Sequence, residues 1–305
     1  MDPMWDIIIV GGGTAGLTAA VYGARAGKSV LLLESSLYGG QIVTAQEIEN
    51  YPAIPHISGA DFASALYEQA KSMGTRFSLE PVAEVRAEGD DRVVVTAKNE
   101  YRGHTVIAAT GAKNRPLGLD REEDLVGRGV SYCATCDGAF FKGKNVAVVG
   151  GGNTALDDAL FLSQRSKVVL IHRRDAFRGE PRKAELVQQA DNIRILYDSA
   201  VTALQGEAAL ESITVENLKS GENQTLPVSG LFVAIGQIPD NTAFSGVVDI
   251  DKGGYILADE TCRTRTPGVF AAGDCRTKRV RQLSTAAGDG TIAALEACEY
   301  IDARP

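Results

Sequence analysis

The sequence predicts an α/β protein carrying two Rossmann-like domains. A strand, a glycine-rich turn and a helix run through residues 6–23, and the same succession returns at 145–163. Length agrees, since 305 residues exceed one ordinary domain and leave each of two enough chain to bury a core.

In the first copy, Asp6-Ile-Ile-Ile-Val10 reads as a strand buried on both faces, because its apolar residues run without alternation and stop at glycine. Gly11-Gly-Gly13-Thr14-Ala15-Gly16 follows and leads into a helix from Leu17. Glycine at 11, 13 and 16 lets the turn close, the backbone approach a pyrophosphate and the helix pack on the strand, while the helix N-terminus faces the phosphates. The next strand, 29–33, ends in Glu34, a carboxylate suited to ribose hydroxyls. Glycine turns also serve packing alone, but strand, spacing, helix and acid together favour a nucleotide.

The second copy comprises the strand 145–149, the turn Gly150-Gly-Gly152-Asn153-Thr154-Ala155 and a helix over 156–163. The 139 residues from Gly11 to Gly150 are too many for a solenoid repeat and fit a duplicated domain. Glu34 stands 18 residues after Gly16; the matching position, 18 after Ala155, is Arg173. A carboxylate there repels a phosphate, whereas guanidinium groups hold one by charge-assisted hydrogen bonds. With His172, Arg174 and Arg178 in the same short loop, the second site reads as built for NADPH and the first for FAD. The alternative is a solvated basic face.

Cys133-Ala-Thr-Cys136 precedes the second Rossmann strand. A structural zinc site needs four ligands, and neither another close cysteine pair nor a histidine at ligand spacing accompanies this one; no metal is expected. Two inert core cysteines are a second reading. The favoured reading is a redox dithiol, which the short spacing closes with little reorganisation. Asp137, next in sequence, is either a turn or cap residue or a proton donor beside the sulfurs.

Composition excludes several classes. Hydrophobic residues make up 44% and charged residues 23%, an ordinary globular balance, and the net charge of −8 disfavours a nucleic-acid partner. The apolar runs are of strand length, so no membrane span is expected. The acidic start, 1–6, leads straight into a strand without a signal-like core, which with five scattered or CxxC cysteines points to the cytoplasm.

In order and spacing, several segments resemble the low-molecular-weight, bacterial-type thioredoxin reductases over nearly the whole chain. These are Gly11 to Gly16, Gly39-Gly40-Gln41, Glu49-Asn50-Tyr51-Pro52, Ala109-Thr110-Gly111, Cys133 to Gly138, Gly150 to Ala155 and His172 to Arg178. Phe232 to Gly236 and Gly268 to Asp274 with Arg281-Gln282 complete the set. The resemblance implies FAD and NADPH as cofactors, oxidised thioredoxin as partner and a homodimer. It also implies a three-layer ββα form for each domain, the NADPH domain being inserted into a discontinuous FAD domain. Gly/Pro breaks at 113–118 and 236–240 suit the crossings and place the FAD domain at 1–112 and 243–305, the NADPH domain at 113–242. By the same resemblance Asp274, Arg281, Gln282, Gly40, Gln41, Asn50, Thr110 and Gly111 belong to the FAD site, and Asp137 acts as the acid. Ala53 and Cys275 depart from the pattern, Cys275 reading as an inert core thiol.

The expected chemistry is hydride transfer from NADPH to FAD, reduction of the Cys133/Cys136 disulfide and exchange with thioredoxin, a hinge motion at the two crossings presenting nicotinamide and disulfide alternately. Competing readings are a dithiol oxidase, a ferredoxin-dependent relative, against which the arginine loop argues, and a non-catalytic flavin redox sensor.

Overall fold

The computed structural model describes residues 4–45 and 47–304; residues 1–3, part of the acidic start considered above, together with Gln46 and Pro305, lie outside the described residues. The chain divides into two compact units, 1–113 with 238–305, and 114–237. Residues 238–242, assigned to the inserted domain on sequence punctuation, lie in the first unit. Their anchor there is Asn241, buried and donating through Nδ2 to the Gly254 and Cys275 carbonyls at 2.8 and 3.0 Å. The crossing segments Lys113–Asn114 and Gln237–Ile238 pair with each other as a short ladder.

In the first unit, strand Trp5–Val10 lies between Val30–Glu34 and Glu100–Ala108, and Arg76–Leu79 and Val269–Ala271 extend the sheet on either side, all in parallel. The strand Glu100–Ala108 also continues an antiparallel meander with Val82–Glu88 and Asp91–Thr96. Side chains alternate between two cores as strand geometry requires. Ile7 and Ile9 pack toward the helices Thr14–Arg25 and Leu283–Asp302, while Ile8 and Val10 pack on the meander side with Phe244, Val247 and Ile256.

The second unit repeats this plan. Its parallel sheet runs Ile193–Leu196, Lys167–Ile171, Asn145–Val149, Gly230–Val233 and Val130–Ser131, with a separate three-stranded antiparallel meander over 199–227. Val146 and Val148 face the helix Asn153–Ser163, and Ala147 and Val149 face the meander. Helix, parallel sheet and meander make three layers in each unit, so the duplication seen in the glycine turns extends through whole domains. Among the described residues no helix is long and apolar enough to cross a membrane.

Candidate active site

The first cradle forms where Trp5–Val10 ends. Gly11 adopts φ 110°, and a Cβ there would stand 2.2 Å from the Ala109 carbonyl oxygen, so only glycine permits the strands to converge behind the turn. Helix Thr14–Arg25 starts at Gly13 without a side-chain cap, which leaves its first N–H groups to a ligand. Glu34 is half-buried; its Oε2 accepts the Gly12 N–H at 2.7 Å, and its Oε1 accepts from Ser35 and Ser36. The carboxylate is thereby fixed at the lip of the turn.

Three further segments belong to this unit. Gln41 donates through Nε2 to the Ala112 carbonyl, and Asn50 donates to Gln282 Oε1 at 3.4 Å, which joins two residues 232 apart in sequence. Thr110 donates to Asn241 Oδ1 at 2.7 Å. Gly40 and Gly111 both hold positive φ, in the turns beside these residues. Gln282 caps the last helix through a reciprocal box with Thr285. Asp274 and Arg281 carry the unusual feature: Asp274 Oδ1 and Arg281 Nε are buried without a hydrogen-bond partner. Burial raises the Asp274 carboxyl above its ordinary range, against the pull of Lys278 and Arg281. The Arg281 guanidinium lies 4.3 Å from the centre of the Tyr255 ring.

The second cradle is in the inserted unit. Gly152 precedes helix Asn153–Ser163 and nothing lies within 4 Å of where its Cβ would be, so the backbone is open to close approach. Asn153 and Thr154 begin the helix in exposed positions, and Ala155 stands buried where the first cradle has Gly16. Arg173, Arg174 and Arg178 are exposed, and among the described residues none of their side chains is engaged in a hydrogen bond or ion pair. His172 differs from them. Its buried ring fills the space that a Cβ on Gly151 would need, and its Nε2 lies 3.0 Å from the Ala176 carbonyl. Burial lowers its pKa, so it forms a neutral wall beneath the arginine loop.

Cys133 and Cys136 form a disulfide with Cα atoms 5.3 Å apart. A single helical turn, Ala134–Asp137, holds them; the N–H groups of Cys136 and Asp137 both donate to the Cys133 carbonyl, at 3.2 and 3.1 Å. Cys133 is half-buried and Cys136 exposed. Ser131, which the sequence reading passed over, links the pair to the acid: its hydroxyl accepts the Cys133 N–H at 3.1 Å and donates to Asp137 Oδ2 at 2.6 Å. Burial raises the Asp137 carboxyl, and the Ser131 bond only partly offsets it. The other three cysteines are buried thiols, with Cys275 donating to the Ala108 and Ala272 carbonyls. Asn241 and Asp289 also escaped sequence reading, because a single buried polar residue carries no periodicity or motif.

Among the described residues, one group has metal-ligand spacing, the half-buried Glu47 with the exposed Glu49 and His56.

Comparison with known proteins agrees with this geometry. The thioredoxin reductase of Peptoclostridium acidaminophilum is 39% identical over 311 residues, covering 99% of each chain. The bifunctional thioredoxin reductase/thioredoxin of Mycobacterium leprae is 42% identical over 98% of this chain and 66% of its own length. The crystal structure of thioredoxin reductase from Streptococcus pyogenes superposes with a TM-score of 0.95 at 38% identity, covering both chains fully. The pyridine nucleotide-disulphide oxidoreductase pattern spans residues 5–290, more than nine-tenths of the sequence, and the chain belongs to that family.

Proposed function

We infer that this chain is a thioredoxin reductase that uses FAD and NADPH, with Cys133 and Cys136 as the redox disulfide. The observation that carries the reading is the CxxC disulfide, joined through Ser131 to a half-buried acid and housed in the same unit as a glycine turn flanked by three unengaged arginines.

Both nucleotides fit the residues present. In the first unit the uncapped helix start and Glu34 suit an adenosine diphosphate, and the unpartnered Asp274 Oδ1 and Arg281 Nε suit the polar groups of a flavin. In the second, Arg173, Arg174 and Arg178 suit the 2′-phosphate of NADPH. When bound, FAD supplies the two-electron relay between NADPH and the disulfide.

The chain's own residues do the rest. Reduction with two electrons breaks the Cys133–Cys136 bond and leaves two thiolates, one of which takes a proton. Asp137 holds that proton at its carboxyl, since burial favours the neutral form, and Ser131 keeps the carboxyl beside the Cys133 backbone. One sulfur then attacks the thioredoxin disulfide, and the other resolves the mixed disulfide, restoring the Cys133–Cys136 bond. The Mycobacterium leprae relative joins reductase and thioredoxin in one chain, which supports thioredoxin as the partner here.

The reading includes a homodimer. Tyr22 on the first helix and Ile292 and Leu295 on the last are 38%, 37% and 51% exposed, an apolar set suited to a second copy. Light scattering giving a mass near 32.3 kDa would count against it.

The deciding experiment is anaerobic mixing with NADPH followed by turnover with oxidised thioredoxin, with NADH in parallel. We expect flavin bleaching, thioredoxin reduction abolished by Cys133→Ser or Cys136→Ser, and strong preference for NADPH. Oxygen consumption without thioredoxin reduction would instead favour a dithiol oxidase, and equal rates with NADH would overturn the arginine assignment.

A further inference from the structure

The segment that carries both unpartnered polar atoms, 273–281, is stapled to the last helix by one buried carboxylate. Asp289 sits seven residues into helix Leu283–Asp302 with its side chain only 8% exposed. Its Oδ2 accepts the Gly273 N–H at 2.9 Å, Arg276 Nε at 2.8 Å and Lys278 Nζ at 2.8 Å, and its Oδ1 accepts Arg276 Nη2 at 2.9 Å. Arg276 and Lys278 are equally enclosed, at 4% and 8%. The carboxylate therefore grips the segment at its first residue and at two later ones.

Two consequences follow for the residues between. Gly273 immediately precedes Asp274, so the Gly273 bond fixes the backbone from which the unpartnered carboxyl departs. Arg276, once gripped, offers its carbonyl to Arg281 Nη2 at 3.5 Å, so the guanidinium whose Nε is unpartnered leans on the same staple. The helix is itself pinned at this point, because a Cβ on the neighbouring Gly290 would stand 2.2 Å from the Ala15 carbonyl oxygen in the first glycine turn. Charge agrees with geometry. Asp274 lies within the field of Lys278, one of the two buried cations that share the Asp289 carboxylate.

We propose that Asp289 is a positioning residue for flavin binding, acting through Asp274: it staples Gly273, Arg276 and Lys278 so that the Asp274 carboxyl is held free for the cofactor. The proposal rests on the reading of the first unit as an FAD site.

The test is a double-mutant cycle on the full-length chain stripped of flavin and titrated with FAD. Asp289→Asn is expected to weaken FAD binding at least tenfold in the parent chain, and by no more than about threefold when Asp274→Asn is already present, because the group it positions is then gone. The flavin absorption spectrum of Asp289→Asn should shift toward that of Asp274→Asn. An unchanged dissociation constant in Asp289→Asn, or an undiminished loss in the Asp274→Asn background, would overturn the proposal. Should Asp289→Asn fail to fold, Lys278→Met, which removes one of the staple's donors and leaves the Arg276 pair, runs through the same cycle with the same criterion. If the parent chain bound no FAD, the functional reading would fall; if it bound FAD and the cycle were additive, only the role of Asp289 would.

Discussion

Asp137 shows how one side chain joins stability to chemistry. Its carboxyl is raised by burial, with only the Ser131 hydroxyl working the other way. A raised carboxyl is neutral in both folded and unfolded chains at low pH; as pH climbs past its ordinary value, the unfolded chain ionises first and folding stability is lost. Asp137→Asn should therefore be more stable than the parent at neutral pH, as measured by thermal unfolding. Turnover with thioredoxin should drop about 100-fold, the scale of a lost proton donor, and the fall in rate with rising pH should flatten. A variant that kept the parent's pH profile would remove Asp137 from the mechanism. In the first unit the thiols are inert: Cys262 and Cys275 have their pKa values pushed up by burial, which disfavours the reactive thiolate.

At the scale of elements, the meander of the first unit carries a buried carboxylate that has nothing to do with catalysis. Glu80 accepts from Thr96 and Ser78 hydroxyls at 2.6 and 2.7 Å, from Asn99 and from Tyr101. The Thr96 bond leads in lowering its pKa to about 2. A depressed carboxylate contributes stability that is fully present above its ordinary value and is lost as pH falls toward the folded value. The unfolding midpoint should accordingly decline between about pH 5 and 2, and Glu80→Gln should be less stable at pH 7 and lose most of that decline. An acid limb of equal steepness in the variant would assign it to other groups. Elsewhere the elements are shaped by glycine: without a Cβ at Gly11, strand and turn meet closely enough for the helix start to face a phosphate.

At the scale of the molecule, two units of one architecture each bury their own two-faced sheet. Separate cores predict separate responses to ligand. In scanning calorimetry FAD should raise the transition of the unit formed by 1–113 and 238–305, and NADP⁺ that of 114–237, each by the amount mass action sets. One transition raised equally by either nucleotide would mean that the units melt as a single body.

Much of this was readable in the order of residues. Apolar runs ending in glycine marked the parallel strands, because a strand buried on both faces leaves no polar alternation. The repeat of that pattern marked the duplication, and the exchange of Glu34 for Arg173 at matching positions gave the two turns different expected ligands. The CxxC spacing marked the sulfur pair, since closure of so short a loop is a local matter. Folding alone decided the long-range partners. Asn241 entered the first unit through bonds to Gly254 and Cys275, His172 packed its ring under the Gly151 backbone, and Asp289 found Gly273, Arg276 and Lys278 across a helix–loop contact. Such groups are single and aperiodic, and their meaning lies in which distant donors burial forces upon them.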